Sequence, residues 1–459
     1  PDRGPKGFPL LGNLPQLMLD PLKFFRQATL RYGDVVPIRM GVSKVLFVNR
    51  PELIHQLVRD RNWVRSEESR KALRSFLGDG LLSLEGATHL RHRRLMAPAF
   101  QRQRFGDYGA LMCDETYKEI ARWGDSETRD VRADMTRLTY SIVAKALFSS
   151  DPNDSQEADA VGDALAEVMP WMALGAALAG VSPWLPVLYP PTARAALKRL
   201  KKLVREIIGR RRREGGDRGD LLSMLLETRD EVGEALSDAD ICDESLTLLM
   251  AGHDTTASAM TWALYLVAQN PQLQAAVADQ ILSVVGSSHA RVTPEMLPKL
   301  PLVRQVIDET LRMFPVVWIA DRKPLQAMSL GPYTIPAGRR VIFSMLVTQR
   351  DARFFPDPER FDPGRFSPER AAQLPEGAYL PFGAGVHMCI GNHFALMESQ
   401  IMLAAMLQRF VFRTVPGFTL RLNPQIVLSP VGELPLLINA RRYKPSHETQ
   451  DRAASRPDM

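Results

Sequence analysis

The most specific stretch of this 459-residue sequence is FGAGVHMCIG, at positions 382–391. Its glycines allow tight backbone turns. Its cysteine, Cys389, immediately precedes a helix that we predict to begin near Ile390 and to reach Phe410. The free N–H groups and the positive dipole end at a helix start favour a thiolate over a thiol. The stretch therefore suits a soft, anionic metal ligand.

Two other interpretations of Cys389 remain open at this point. A lone cysteine is most often a small buried hydrophobe with no ligand at all. A zinc site with His393 as a second ligand is weaker, because further ligands in a zinc-like spacing are lacking.

A long helix is predicted upstream of this stretch. It starts at a capping box, Ser237-Asp238-Ala239-Asp240, and continues to Asn270, where Pro271 stops it. About 34 residues at 1.5 Å each give roughly 50 Å, which is enough to cross a whole domain. We therefore expect this helix to pass through the interior.

The middle of the long helix carries the sequence AGHDTT, at positions 251–256. Ala251 and Thr255 are four residues apart and share a face, and Gly252 keeps that face low. Thr255 is able to bond the carbonyl four residues back or to donate to a ligand. Asp254 is able to lie on a solvated face or to relay protons. The motif alone leaves both roles open for each residue.

The remaining pattern is mostly helical with a small β region. Strands are expected in two hairpins, one turning at Gly41 and one at Pro336-Ala337-Gly338, and an ordered coil is expected from Arg350 to Arg365. The predicted helices are Pro21–Tyr32, Pro51–Val58 and Leu302–Met313, and the predicted strands are Val35–Met40, Lys44–Val48, Tyr333–Ile335 and Arg339–Ser344.

Composition narrows the class of protein. The net charge of +6 is too small to indicate a nucleic-acid partner, and we interpret the basic run Arg210 to Arg213 as a solvated loop between helices. Three cysteines far apart in sequence form no disulfide framework, which indicates a reducing compartment. The apolar segment Val168 to Pro191 is interrupted by Pro and Gly, so we expect no membrane-spanning helix.

The stretch around Cys389 resembles the haem-binding loop of the cytochrome P450 monooxygenases, whose pattern is F-x-x-G-x-[R/H]-x-C-x-G. The matching residues, in register, are Phe382, Gly385, His387, Cys389 and Gly391. Through this resemblance Cys389 is the expected iron ligand, and AGHDTT looks like the family's oxygen-activation motif. It implies that Asp254 and Thr255 deliver protons and that Ala251 and Gly252 leave room for dioxygen.

Two further parts of the sequence are similar to family motifs. Glu309 and Arg312 fit E-x-x-R, and Arg365 looks like the third member of a buried triad, although Gly364 replaces the Glu of the family's P-E-R-F. In isolation Glu309 and Arg312 are only an i,i+3 ion pair, worth a few tenths of a kcal/mol.

A set of basic residues is expected to hold the haem propionates. His89 and Arg93 match the family's [W/H]-x-x-x-R, and Arg322 lies where the family places another propionate partner. Together with His387 they would neutralise two buried carboxylates, as a sequestered haem requires. The alternative for His89 and Arg93 is a solvated basic helix.

The resemblance covers almost the whole chain, so one large domain at 1–442 is expected rather than the three that length suggests, followed by a polar, disordered tail at 443–459. It implies a mainly α, helical triangular prism with haem b between the long helix and the Cys389 helix. It also implies a cytoplasmic enzyme that inserts one atom of O₂ into its substrate. Electrons would come from NAD(P)H through a separate ferredoxin or flavodoxin and its reductase. A basic docking area near the cysteine side of the haem is expected from Arg91, Arg94, Arg102 and Arg104.

The expected substrate is a hydrophobic small molecule such as a fatty acid, terpenoid, steroid or polyketide. Two rivals remain: a haem-thiolate enzyme that uses peroxide, and a non-enzymatic haem sensor or carrier, which would not need Asp254 and Thr255. The residues expected to line the substrate pocket are Leu248, Val316, Val317, Trp318, Ile319, Leu428 and Val431.

Overall fold

A computed structural model of the protein describes residues 3–41, 43–101, 104–149, 160–169, 171, 189–287 and 289–442. The helices are α1 (Leu14–Leu19), α2 (Pro21–Tyr32), α3 (Pro51–Arg59), α4 (Glu67–Leu77), α5 (Gly86–Met96), α6 (Phe105–Ile120), α7 (Val131–Phe148), α8 (Pro191–Glu214), α9 (Leu221–Glu227), α10 (Asp238–Ala268), α11 (Pro271–Val285), α12 (Pro301–Met313), α13 (Met345–Thr348), α14 (Pro368–Ala371) and α15 (Asn392–Arg409). The strands are β1 (Val35–Met40), β2 (Ser43–Val48), β3 (Trp63–Val64), β4 (Glu127–Asp130), β5 (Ala320–Pro324), β6 (Met328–Leu330), β7 (Tyr333–Ile335), β8 (Val341–Phe343), β9 (Phe410–Thr414), β10 (Leu422–Pro424), β11 (Leu428–Pro430) and β12 (Pro435–Ala440).

The long helix is α10, and it begins at the predicted capping box. The Ser237 hydroxyl accepts a hydrogen bond from the Asp240 N–H at 3.1 Å, and the Asp240 carboxylate accepts one from the Ser237 N–H at 3.0 Å. Most of its residues are buried, and α7, α8, α12 and α15 pack against it. The prediction of a helix through the interior is confirmed.

The first predicted hairpin is present, but the prediction of a second hairpin, between β7 and β8, was wrong. Strands β1 and β2 pair antiparallel from Val35 with Val48 to Met40 with Ser43. Strand β7 instead pairs with β6. Strand β8 lies inside a five-stranded sheet, parallel to β2 and antiparallel to β5. All three residues of β8 are buried. A strand buried in this way lies in the middle of a sheet, with a neighbour on each side, whereas a two-stranded hairpin would cover only one side of it.

The basic run is the last turn of α8, so its interpretation as a loop was also wrong. Arg211 is buried, and its Nη2 lies 2.5 Å from the Asp220 carboxylate and 2.6 Å from the Phe148 carbonyl. Basic residues in a last helical turn interact favourably with the negative end of the helix dipole. Arg212 is exposed and pairs with Asp238.

None of the helices in the described part of the chain is long and apolar enough to cross a membrane. The segment Val168 to Pro191 lies largely outside the described residues, and so does the predicted tail at 443–459.

Candidate functional site

The cysteine stretch forms a tight loop before α15. The Cys389 N–H donates to the Phe382 carbonyl at 2.8 Å, which closes the loop. Gly385 has a φ of +66°, and a Cβ there would lie 2.1 Å from the carbonyl oxygen of Val58 at the end of α3. Only glycine fits this combination of dihedral angle and close approach, so Gly385 allows the loop to pack directly against the end of α3.

Cys389 is the accessible one among the three cysteines, whereas Cys113 and Cys242 are buried. Burial of the sulfur among loop atoms raises the pKa of the Cys389 thiol, while the Gly391 N–H and the charge of Arg93 lower it. A cation bound at the sulfur would favour the thiolate further. The loop therefore presents one thiol that a metal can reach.

The predicted propionate partners of α5 lie beside this loop. His89 is buried, and its ring centroid is 4.4 Å from that of His387. The guanidinium of Arg93 donates to the Met388 carbonyl at 2.7 Å. Burial, followed by the charges of His387 and Arg65, lowers the pKa of His89 to about 3. The solvated-helix alternative does not describe His89, because its ring is buried.

Arg322 supplies the test of whether an anionic group fits this site. Its side chain is buried, and its Nη1 donates to the Asp321 carbonyl at 2.7 Å. Among the described residues no carboxylate forms an ion pair with it, since the Asp321 carboxylate is taken by Ser66, Ser69 and Arg340. A buried cation without a counter-ion is unfavourable, so this position requires an anion. The propionates of haem would supply one.

His387 has a protein partner that the sequence did not predict. Its Nε2 lies 2.6 Å from the Glu85 carboxylate, and Glu85 also pairs with Arg65 at 3.3 Å. Although burial opposes ionisation, the hydrogen bond and charge of His387, with Arg65, lower the pKa of Glu85 to about 2. The remaining ring nitrogen, Nδ1, is buried and has no hydrogen-bond partner among the described residues. His387 is thus fixed by Glu85 with one nitrogen left over.

Arg65 organises the chain before α5. Its guanidinium donates to the carbonyls of Leu81, Leu82 and Leu84 at 3.3, 2.7 and 2.6 Å. It connects the end of β3 to the start of the helix that carries His89 and Arg93. Neither this role of Arg65 nor the pairing of Glu85 with His387 was predicted from the sequence.

The motif of α10 is partly open in an otherwise buried stretch. Ala251, Gly252, Asp254 and Thr255 are half-buried, while the next residues of the helix are fully buried. The Thr255 hydroxyl donates to the Ala251 carbonyl at 2.5 Å. This bond to the carbonyl four residues back is one of the two roles that the motif left open for Thr255. The hydroxyl oxygen is still able to accept a hydrogen bond from another donor.

Gly252 has a clear packing role. A Cβ at this position would lie 2.8 Å from Cγ2 of Val143 on α7. The glycine therefore allows α7 and α10 to approach closely. A contribution of Gly252 to an oxygen pocket stays a prediction.

The environment of Asp254 favours its protonated form. Burial raises the pKa of its carboxyl group, and the charges of His253 and Arg132 oppose that rise. A carboxyl group with a raised pKa keeps its proton to a higher pH than a solvated one.

The structure brings Glu309, Arg312 and Arg365 together. Arg312 Nε and Nη2 lie 2.6 and 2.9 Å from the two Glu309 oxygens, and Arg365 Nε lies 3.3 Å from one of them. Arg312 also donates to the carbonyls of Gln349 and Pro358 at 2.7 and 2.9 Å. All three charged side chains are buried. The triad ties α12 to the coil that leads into the cysteine loop, and Gly364 does not disturb it.

The residues expected to line a substrate pocket differ in burial. Leu248, Val316, Trp318 and Leu428 are buried, Ile319 is half-buried, and Val317 and Val431 are exposed. The backbone N–H of Leu428 donates to the Val316 carbonyl at 2.9 Å. The indole of Trp318 donates to the Gln425 carbonyl at 2.8 Å. Val316 and Leu428 are thus adjacent, and a role in substrate contact stays a prediction for the whole set.

The arginines of the expected docking area already have acidic partners. Arg102 lies outside the described residues. The other three pair with the segment between α8 and α10, as Arg91 with Asp230 at 2.7 Å, Arg94 with Glu231 at 3.3 Å and Arg104 with Asp217 at 3.2 Å.

A further buried carboxyl group lies on α15, and no sequence pattern marks it. Glu398 is fully buried, and neither carboxyl oxygen has a hydrogen-bond partner among the described residues. Burial raises the pKa of Glu398 to about 8, and the Thr256 side chain opposes this rise. The residue is therefore a neutral acid in the folded protein at pH 7.

Glu398→Gln is expected to change how stability depends on pH. Between the ordinary pKa of 4.5 and about 8, the folded protein holds a proton that the unfolded chain releases. The free energy of unfolding therefore falls as pH rises through this window, by at most about 1.4 kcal/mol per pH unit. The glutamine cannot ionise, so the variant should lose this slope, which melting temperatures at pH 5.5 and 8 would detect. Glu433→Gln, at an exposed position, is the control. If the stability of Glu398→Gln depends on pH with the same slope as that of the wild type, the expectation is contradicted.

The fold and site define a class of protein: a helical protein with an accessible cysteine in a tight loop and a buried arginine, Arg322, whose charge acts on His387 of that loop and needs an anion, as in a haem-thiolate protein. The described residues contain no group of three or more His, Cys, Asp or Glu suited to a metal ion, so the zinc alternative has no support. The family model described as cytochrome P450 matches residues 3–433. The chain belongs to the cytochrome P450 family, and it is a haem-dependent monooxygenase.

Named relatives agree with this assignment. The chain is 35% identical to cyclooctatin synthase of Streptomyces melanosporofaciens, with 93% of each chain covered. It is 36% identical to cyclooctat-9-en-7-ol 5-monooxygenase of the same organism, with 95% of each covered, and 32% identical to pentalenene oxygenase of Streptomyces avermitilis, with 91% of this chain and 92% of the relative covered. The crystal structure of the cytochrome P450DA haem domain matches with a TM-score of 0.85 and 25% identity, covering 95% of this chain and 97% of that one. The predicted fold class is confirmed.

Proposed function

We propose that this monooxygenase inserts one oxygen atom from O₂ into a cyclic terpenoid, with electrons from NAD(P)H delivered by a separate ferredoxin or flavodoxin and its reductase. The observation that carries the proposal is that one protein has both an accessible thiol, Cys389, and an α10 motif in which Asp254 and Thr255 are able to transfer protons. The relatives named for cyclooctat-9-en-7-ol and pentalenene support the terpenoid class.

Each part of the site has a separate task in this proposal. Haem, when bound, supplies the activation of O₂, and a thiolate ligand donates the electron density that favours O–O cleavage. Cys389 is the ligand, and Arg93, Arg322 and His89 hold the propionates. Asp254 and Thr255 carry protons to the reacting oxygen.

The proton path separates this proposal from its rivals. A haem carrier or sensor does not need a half-buried acid beside a threonine. An enzyme that uses hydrogen peroxide receives oxygen that already carries protons. Asp254 combines a raised pKa with partial exposure, so it can exchange protons with water and pass them inward.

The redox partner is proposed to meet the protein on the cysteine side of the haem. Arg91, Arg94 and Arg104 lie in this region, but each is paired with an acidic residue at 217–231. An acidic ferredoxin would have to compete with that segment for the arginines. Docking there is consequently expected to weaken with increasing salt.

Turnover with a panel of cyclic sesquiterpenes and diterpenes tests the proposal. The holoenzyme is combined with a bacterial ferredoxin, its reductase and NADPH under ¹⁸O₂, with linear fatty acids and steroids as matched substrate panels. We expect a terpenoid to shift the haem to high spin and to yield a product that carries one ¹⁸O atom.

Three outcomes would contradict the proposal. Product that forms only when hydrogen peroxide replaces ferredoxin and NADPH would indicate the peroxide-using enzyme. Turnover confined to fatty acids or steroids would exclude the terpenoid class. Absence of both spin shift and product with every panel would favour a carrier or sensor.

A further inference from the structure

Large apolar side chains are exposed together near the N-terminal end of the described chain. Of the eleven that are exposed among the described residues, five lie between Phe8 and Leu19. The side chains of Phe8, Leu10 and Leu11 are 52%, 79% and 54% exposed. Single exposed apolar residues are ordinary, whereas a contiguous group of them marks an interaction site. The mechanism proposed above does not use these residues.

These side chains belong to an ordered turn and not to a fraying end. Phe8 and Gly12 exchange backbone hydrogen bonds at 2.7 and 2.9 Å, so residues 8–12 form a small closed turn, here called the apolar turn. The turn is tied to β1 at its C-terminal side. The Asn13 N–H donates to the Arg39 carbonyl at 2.6 Å, and the Arg39 N–H donates to the Asn13 side-chain oxygen at 2.9 Å. The backbone is therefore fixed while its leucines remain in contact with solvent.

Three cations lie beside the apolar turn, and we call them the basic rim: Lys6, Arg39 and Lys44. Lys6 precedes the turn by two residues. Arg39 packs next to it, because a Cβ on Gly12 would lie 2.7 Å from the Cβ of Arg39. All three cations are exposed, and none forms an ion pair with a carboxylate of the described residues.

The charge of the basic rim is not cancelled by its neighbours. Glu68 lines the same groove as Lys44, but Arg339 lines it as well. Arg39 and Lys44 stand directly opposite each other across β1 and β2, and like charges in that arrangement repel. An anion bound between them would relieve this repulsion. The rim is therefore suited to negatively charged groups such as phosphates.

We propose that the apolar turn and the basic rim dock this enzyme on the surface of an anionic lipid bilayer. The apolar side chains enter the boundary of the hydrocarbon, and the cations bind the phosphates of the headgroups. A second copy of this chain is a poor occupant, because a symmetric contact would bring two basic rims together. The inference goes beyond the proposed function. It also places the enzyme where an apolar substrate such as a terpenoid accumulates.

Sedimentation with vesicles tests the proposal. The holoenzyme is mixed with vesicles made of equal parts of phosphatidylglycerol and phosphatidylcholine, or of phosphatidylcholine alone. We expect the protein to pellet with the anionic vesicles and to stay in solution with the neutral ones. Raising the salt concentration should weaken the binding, because salt screens exposed charges.

Two sets of variants separate the apolar and the ionic contributions. Leu10→Asn and Leu11→Asn each remove an apolar side chain, and asparagine tolerates the φ of +60° at position 10 better than leucine does. We expect each to bind the anionic vesicles about tenfold more weakly. Arg39→Ala and Lys44→Ala should each weaken binding about fivefold and reduce its dependence on salt.

The matched controls are Val232→Asn and Arg413→Ala. Val232 is 81% exposed, as Leu10 nearly is, but Glu231 and Glu234 lie on either side of it in the chain. Arg413 is exposed on β9, which belongs to a different sheet from β1 and β2. Both controls should bind as the wild type does. An unchanged carbon monoxide spectrum of every variant would show that folding and haem binding are intact.

The inference is overturned by any of three results. Wild-type protein that stays in solution with the anionic vesicles excludes a bilayer as the occupant. Losses in the controls as large as those in the variants would show that lipid binds elsewhere. A dimer that Leu10→Asn abolishes, or a ferredoxin affinity that falls in Arg39→Ala while no vesicle binds, would assign the surface to a protein partner. Oxygen insertion is measured without vesicles, so the proposed function is tested separately.

Discussion

Cys389→Ala is expected to abolish oxygen insertion and to remove the red-shifted carbon monoxide band of the reduced protein. The loop closed between Cys389 and Phe382 presents this sulfur as the one accessible thiol of the chain. Alanine leaves the loop backbone intact but gives iron no anionic ligand and no electron density for O–O cleavage. A carbon monoxide difference spectrum, haem content per protein and product formation measure the effect.

Cys242→Ala is the matched control for that experiment. Cys242 lies fully buried on α10, and burial raises the pKa of its thiol to about 11. It is therefore a structural thiol, and its replacement should leave the spectrum unchanged with a loss of about 1 kcal/mol in stability. A thiolate-type band that persists in Cys389→Ala and disappears in Cys242→Ala would reverse the ligand assignment.

The sequence predicts those parts of the fold that local chemistry determines. The capping box at Ser237 and Asp240 is a contact across three residues, and the hairpin of β1 and β2 turns within the chain at Gly41, so both were predictable. The partners of β8 were not, because β8 pairs with β2 almost three hundred residues earlier. A Pro-Ala-Gly turn indicates a change of direction but does not say which strand the chain will meet.

The same limit applies to the site. Family motifs identified residues such as His89 and Arg93, but not what they would contact: Arg93 reaches the carbonyl of Met388, 295 residues away. Glu85 pairs with His387 across 302 residues, and no pattern around Glu85 marks it. Glu398 looks like an ordinary helical glutamate until the packing of α15 shows that it is buried.

Arg312→Leu is expected to prevent accumulation of stable holoprotein. Arg312 is fully buried against Glu309 and donates to the carbonyl of Pro358 in the coil before the cysteine loop. Leucine removes the cation but leaves the Glu309 carboxylate buried, and breaking a buried pair in this way costs about 3–5 kcal/mol. Arg365, at 3.3 Å, still pairs with Glu309, so the lower part of that range is expected. Expression yield, haem content and melting temperature report the loss.

Arg304→Leu is the matched control, because it removes an arginine from the same helix. Arg304 pairs with Asp308 at 2.7 Å, with side chains 46% and 11% exposed. The Asp308 carboxylate also accepts from the Tyr379 hydroxyl at 3.0 Å and so keeps a partner when the arginine is removed, and we expect a smaller loss than for Arg312→Leu. A second variant, Glu309→Gln with Arg312→Leu, should be no more stable than Arg312→Leu, because it leaves the buried Arg365 without its carboxylate partner. If Arg312→Leu matches Arg304→Leu in haem content and melting temperature, the triad does not hold the coil in place. In that event the position of the cysteine loop depends on Gly385 and its contact with α3.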